Sequence, residues 1–130
     1  MLLGFDEIIT GGRLSIADSK PIFGVTPDLA TYGKIYGGRL PIGLVAGKEE
    51  MMSCIRSREP VFHGGTYSAN PLSLAAGKAM LTHLSDNTDI FGLLEKSAEA
   101  FVSDINQFTE RLSINAHMMG NASIFRLVFC

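Results

Sequence analysis

Cysteine is scarce in this chain: two in 130 residues, Cys54 and Cys130. Two are too few for a disulfide framework, and nothing calls for an oxidising compartment, so a cytoplasmic location is expected. An excess of either charge is also missing. Eleven basic residues face 13 acidic ones, a net charge of −2, which leaves no basic stripe for nucleic acid. No apolar run approaches the ~18 residues of a membrane helix. No charged leader precedes a long apolar stretch. His63, His83 and His117 are far apart, and no cysteine pair stands at ligand spacing, so no zinc site is expected. The glycines fit neither the dinucleotide fingerprint nor the phosphate loop, because Gly47-Lys48 is followed by Glu49. There is no internal repeat or low-complexity tract.

What remains is an ordinary globular composition, 46% hydrophobic, at a length that suits one domain. Residues 1–5 read as a short buried strand, 28–33 as a second and 40–46 as a third, with a glycine turn over 33–39. Residues 10–27 and 56–69 read as loop. Arg56, Arg58 and Glu59 read as a solvated charged stretch. Residues 48–55 suit a short helix. Asn70-Pro71 is a helix start, asparagine as cap and proline in the first turn. Leu72, Ala75, Ala76, Ala79, Met80 and His83 follow at helical spacing, and the helix is expected to end within 84–87. A second helix is expected over 90–112, with Leu94, Ala98, Phe101, Ile105 and Phe108 on its apolar face. Residues 113–121 read as a turn region and 123–129 as a last strand. Strands, two helices and a strand make an incomplete α/β arrangement. Both ends are strand-like and stop abruptly, so the chain is expected to be a piece of something larger.

Three places can carry chemistry. Asp6 follows an apolar strand, where α/β sheets bind ligands; it can equally cap the next loop. Lys34 sits between Gly33 and the pair Gly37-Gly38. Lysine attacks carbonyls in its neutral form, and bare glycines let a bulky group approach; a plain surface lysine in a turn fits as well. In His63-Gly64-Gly65-Thr66, backbone N–H groups and a hydroxyl just before a helix can hold a phosphate, or merely lead into the helix. An acid, a lysine and a phosphate loop are together what a pyridinium cofactor with a phosphate tail requires.

Four stretches occur in order: FDEIITG at 5–11, TPDLATYGKIYGG at 26–38, LPIG at 40–43 and GGTYSANPL at 64–72. Over residues 1–80 they resemble the class-III pyridoxal-phosphate aminotransferases, and within them the glutamate-1-semialdehyde 2,1-aminomutase branch. The resemblance implies an α/β fold, part of the large cofactor-binding domain with a mainly parallel sheet and flanking helices. Residues 1–112 would belong to that domain and 113–130 would begin the small C-terminal one. It implies pyridoxal 5'-phosphate as cofactor, with small-molecule amino donors and acceptors as substrates and a homodimeric parent. By the same resemblance, Asp6 pairs with the ring nitrogen and Ile8 packs on a ring face. Lys34 forms the Schiff base and moves the substrate's α-proton. Gly65 and Thr66 bind the phosphate, in this family that of the neighbouring subunit. Glu7 belongs to the motif without a cofactor contact. The sequence departs from the family at Gly12, usually bulky, and at Arg39, usually glycine, which leaves substrate choice open. The reading is amino-group transfer, as a transaminase or a 2,1-aminomutase, needing the rest of the family's length. The rivals are a racemase or decarboxylase of the same fold, or a piece that folds without turnover.

Overall fold

A computed structural model describes residues 1–16, 23–56 and 61–129. The expected loop positions 17–22 and the charged Arg58 and Glu59 lie outside the described residues, as does Cys130. The chain divides into two compact units, Met1–Asp86 and Asn87–Cys130.

The first unit is built on three strands, β1 (Gly4–Asp6), β2 (Leu29–Tyr32) and β3 (Leu44–Gly47). β1 and β2 pair in parallel with Asp6 opposite Thr31; β2 and β3 pair antiparallel with Leu29 opposite Gly47. β3 is shorter than the apolar pattern predicts. Residues 40–43 stay outside the strand, and Ile42 packs its side chain inward instead, against Gly37 and Gly77. A 3-10 turn, Lys34–Gly37, leaves the end of β2. After β3 come α1 (Glu49–Met52), a second 3-10 turn (Ser53–Arg56) and α2 (Pro71–Asp86). The Asn70 carboxamide oxygen caps α2, accepting from the N–H groups of Leu72 and Ser73, both at 3.1 Å.

The buried face of α2 is not the predicted one. Ser73, Gly77 and Leu84 are buried, with Ala76 and Met80 half-buried, whereas Leu72 is 67% exposed. Close approach is the reason. A Cβ on Gly77 would lie 3.2 Å from the Tyr36 carbonyl oxygen and 3.0 Å from Ile42 Cδ1. The helix therefore selects small residues where it meets the lysine turn, and apolar spacing misreads the stripe by one position. A Gly77→Val variant is expected to lose about 1–3 kcal/mol of stability through overpacking, read as a lower urea midpoint.

Directly after β1, Glu7 is 1% exposed and accepts a hydrogen bond from the Thr10 hydroxyl. The lead-in to β1 is fastened by Asp28. Its Oδ2 accepts from the Leu3 N–H at 2.7 Å, and its Oδ1 meets Lys48 Nζ at 2.6 Å. The Lys48 ammonium, then the Leu3 N–H, hold the Asp28 carboxyl below its ordinary value of 3.8, while Asp28 holds Lys48 above 10.5. The depressed acid contributes stability above pH 3.8 that is lost as pH falls through its folded pKa. The raised base contributes below pH 10.5 and loses it as pH rises further. Between those limits the pair is insensitive to pH. An Asp28→Asn variant is thus expected to unfold with less dependence on pH below 3.8 than the parent, in acid titrations followed by circular dichroism. Equal acid slopes would remove the pair from the account.

The second unit holds α3 (Ile90–Arg111) and an antiparallel hairpin of β4 (Ala116–Asn121) and β5 (Ile124–Phe129). Ala98 and Thr109 are its buried positions on α3. Of the predicted apolar face, Leu94, Phe101 and Phe108 stay 37%, 45% and 45% exposed. Phe101 still meets Phe125 of the hairpin at 5.2 Å between ring centres. β4 corrects the turn expected over 113–121. Gly120 and Asn121 resemble turn residues, but Gly120 lies opposite Phe125, where a Cβ would stand 2.6 Å from the Phe125 Cα. The glycine serves a close strand approach, and the turn itself is Ala122-Ser123. Asn106 of α3 ties to β4 twice: its Nδ2 donates to the Met118 carbonyl at 2.8 Å, and the Met118 N–H donates to its Oδ1 at 2.7 Å.

Candidate active site

The parallel pair β1–β2 delivers its carboxyl ends to one place. Asp6 is the last residue of β1, and Lys34 begins the turn two residues beyond β2. The Asp6 carboxylate is oriented on one side only. Its Oδ1 accepts from the Ile8 N–H at 3.1 Å and from the Thr31 hydroxyl at 3.3 Å. Among the described residues Oδ2 has no partner, so an exposed carboxylate oxygen is held in a fixed direction. Thr31 escaped notice in the sequence because the parallel register, not chain proximity, sets it opposite Asp6.

Ile8 reaches over to Gly33, its Cγ2 lying 3.7 Å from where a Cβ on that glycine would be. An apolar side chain thus borders the residue that precedes Lys34. Lys34 itself has φ 47°. A left-handed conformation costs a non-glycine residue about 1–2 kcal/mol. Glycine would relieve that cost, yet in a segment otherwise rich in glycine this position carries a lysine. The turn below it is firm: Tyr36 is 2% exposed, and its hydroxyl donates to the Ile16 carbonyl at 2.6 Å.

Gly65 and Thr66 stand elsewhere in the same unit. With His63, Tyr67, Asn70 and Ile42 they line a cavity of about 690 Å³. Lys34 lines a different one, of about 500 Å³, together with Arg13, Ile35, Gly38, Arg39 and Met80. Asp6, Ile8 and Lys34 gather at one sheet end, whereas Gly65 and Thr66 line a cavity that none of the three lines. The helix start contributes less to that second place than its sequence suggests. Asn70 takes the N–H groups of Leu72 and Ser73, so the open donor there is the Thr66 side chain with the loop backbone. Among the described residues there is no group of three metal-ligating side chains, and no helix is long and apolar enough to cross a membrane.

The residues fit pyridoxal phosphate by the chemistry of the donor set. A directed carboxylate oxygen suits a ring N–H, a solvent-facing lysine suits an aldehyde, and an apolar residue borders the space between. Comparison with known proteins agrees. The model of the class-III aminotransferases matches residues 1–117. The chain belongs to that family. It is 36% identical over 128 residues to glutamate-1-semialdehyde 2,1-aminomutase 2 of Lachnoclostridium phytofermentans, covering 98% of this chain and 30% of the relative. It is 53% identical over 90 residues to the glutamate-1-semialdehyde 2,1-aminomutase of Alkaliphilus oremlandii, covering 69% of this chain and 21% of that one. A solved transaminase with pyridoxal phosphate bound superposes with a TM-score of 0.83 at 25% identity, covering 98% of this chain and 30% of that one. The chain thus spans about a third or less of the length of the proteins it matches. The α/β piece is a partial copy of the transaminase fold, and pyridoxal phosphate is the cofactor that fold calls for.

Proposed function

We propose that residues 1–130 supply the lysine side of the active site of a pyridoxal-phosphate enzyme that moves amino groups, as a transaminase or as a 2,1-aminomutase. The observation that carries this is the convergence of Asp6, Ile8 and a left-handed Lys34 at the carboxyl end of one parallel strand pair. Bound pyridoxal phosphate supplies an electron sink for the carbanion left when the amine substrate gives up its α-proton. Lys34 provides the amine for covalent attachment and, once displaced by the substrate amine, takes the α-proton as general base and returns it as acid. Asp6 Oδ2 holds the proton on the ring nitrogen. Ile8 packs against a ring face. The Thr66 hydroxyl and the Gly65 backbone hold a phosphate across the subunit boundary of a homodimer, a reading supported by their lining a different cavity from Lys34. The substrates are a small-molecule amino donor and acceptor, and the site of action is the cytoplasm. Residues 1–112 fall to the cofactor domain and 113–130 to the start of the small domain.

Covalent trapping tests this. The protein is mixed with pyridoxal phosphate, reduced with borohydride and digested, and the modified lysine is located by mass spectrometry. Label concentrated on Lys34 over Lys20, Lys48, Lys78 and Lys96, and reduced by Thr66→Ala, is the expected result. Label spread evenly over the lysines would count against the reading.

A further inference from the structure

Lys34 keeps a left-handed backbone that its own side chain disfavours, and such residues persist only where their surroundings over-determine them. Tyr36 supplies that hold from more than one side. Its N–H donates to the Gly33 carbonyl at 3.2 Å, closing the turn around Lys34. Its ring meets that of Tyr32, the last residue of β2, edge to face at 5.6 Å between centres. The hydroxyl reaches further, donating to the Ile16 carbonyl at 2.6 Å across 20 positions of sequence. Ile16 belongs to the segment that leaves Asp6, and backbone bonds fold that segment compactly. The Gly11 N–H donates to the Glu7 carbonyl at 2.9 Å, and those of Arg13 and Leu14 donate to the Thr10 carbonyl at 3.1 and 3.2 Å. The segment lies directly on the lysine turn: a Cβ on Gly12 would stand 2.5 Å from Ile35 Cγ2 and 3.3 Å from Tyr36 Cζ.

We propose that Tyr36 is a positioning residue for Lys34: its hydroxyl straps residues 7–16 onto the lysine turn and so holds Lys34 in its left-handed conformation. The inference rests on Lys34 being the reacting amine and adds what keeps that amine in place. Tyr36 makes no bond to the reacting atoms; it acts through the backbone. Its ring packs the turn against the end of β2, and its hydroxyl fixes the turn to the segment that begins at Asp6. With the hydroxyl gone, the turn keeps its packing but loses that fixed point. Residue 34 can then relax toward the right-handed region a lysine prefers, and its amine is less often where an aldehyde meets it. A buried phenol needs a hydrogen-bond partner in any case. Positioning differs from that plain need because the loss of the bond is felt at Lys34.

The test needs no turnover. Tyr36→Phe keeps the ring and its contact with Tyr32 and removes only the hydroxyl, so the variant keeps its fold, and its melting curve checks this. The first readout is a double-mutant cycle with Lys34→Gly, followed by urea midpoints. In the parent, losing the hydroxyl also lets the strain at residue 34 relax, and the two changes partly offset. With glycine at that position there is no strain left to relax. Tyr36→Phe is therefore expected to lower the midpoint more in the Lys34→Gly background than in the parent. The second readout is borohydride trapping with pyridoxal phosphate, well below the melting transition. Label on Lys34, relative to Lys78 and Lys96, is expected to fall about fivefold, the factor that one hydrogen bond supplies. Asp28→Asn, which alters bonds elsewhere in the same unit, should leave that ratio unchanged. An equal or smaller midpoint shift in the glycine background overturns the proposal. So does a Lys34 label that Tyr36→Phe leaves intact, or that Asp28→Asn lowers as much. If the cycle departs from additivity as expected but the parent never takes label on Lys34, the strap stands and the reading of Lys34 as the reacting amine falls.

Discussion

Replacing Lys34 with glycine is expected to abolish the trapped cofactor adduct while making the protein more stable by about 1 kcal/mol. The two effects have separate causes. The adduct needs the side-chain amine, and Lys48, Lys78 and Lys96 belong to other elements. The stability gain comes from the backbone, since φ 47° strains a lysine and suits glycine. A surface lysine of ordinary backbone conformation would not show the stability gain, because surface substitutions stay within about 0.5 kcal/mol. In a full-length relative carrying this segment, the same change should cut turnover at least about 10³-fold, since it removes the attachment point and the general base together. The checks are a denaturant melt, the mass of the reduced adduct and amine-donor turnover in the graft. A destabilised variant, or one that still takes label at full yield, would break the argument.

Asp6→Asn is the sharper probe of the second group. Asparagine keeps an Oδ1 for the Ile8 N–H and the Thr31 hydroxyl, so the local fold should hold and the melting midpoint should barely move. What changes is the other atom. In place of Oδ2 stands an N–H₂ donor, which faces the ring nitrogen's lone pair and cannot keep that nitrogen protonated. The electron sink weakens, and turnover in the grafted enzyme should fall about 10²–10³-fold, the usual loss for one directed electrostatic group. Trapping on Lys34 should persist, because covalent attachment does not use Asp6. If turnover is retained, Asp6 is only the loop cap that its hydrogen bond to Ile8 also allows.

The difference between what the residues announced and what they hid has physical origins. The meeting of Asp6, Ile8 and Lys34 at one sheet end was readable because each lies in a short ordered motif, and the strand ends that gather them are themselves apolar runs. The cap of α2 was readable because Asn70-Pro71 acts locally. The face of α2 was not. Its contact with the lysine turn is set by how near two backbones come, and Gly77 and Ser73 carry no hydrophobic signal. β4 was hidden for the same reason, with Gly120 selected by a neighbouring strand. The lining of the cavity beside Lys34 was out of reach because Arg13 and Arg39 are distant in the chain and come to one cavity only through the fold. Spacing reports a residue's own element well and its cross-chain neighbours poorly.

The double tie between Asn106 and Met118 has a meaning for assembly. A carboxamide offers one donor and one acceptor in the geometry of a peptide group, so Asn106 stands against β4 as a single-residue mimic of another strand. A foreign polypeptide seeking to add itself by backbone pairing finds that position already taken, and the hairpin is shielded there from growth into larger sheets. The Met118 amide should in turn be among the slowest in the hairpin to exchange its hydrogen for deuterium, although among the described residues no third strand pairs with it.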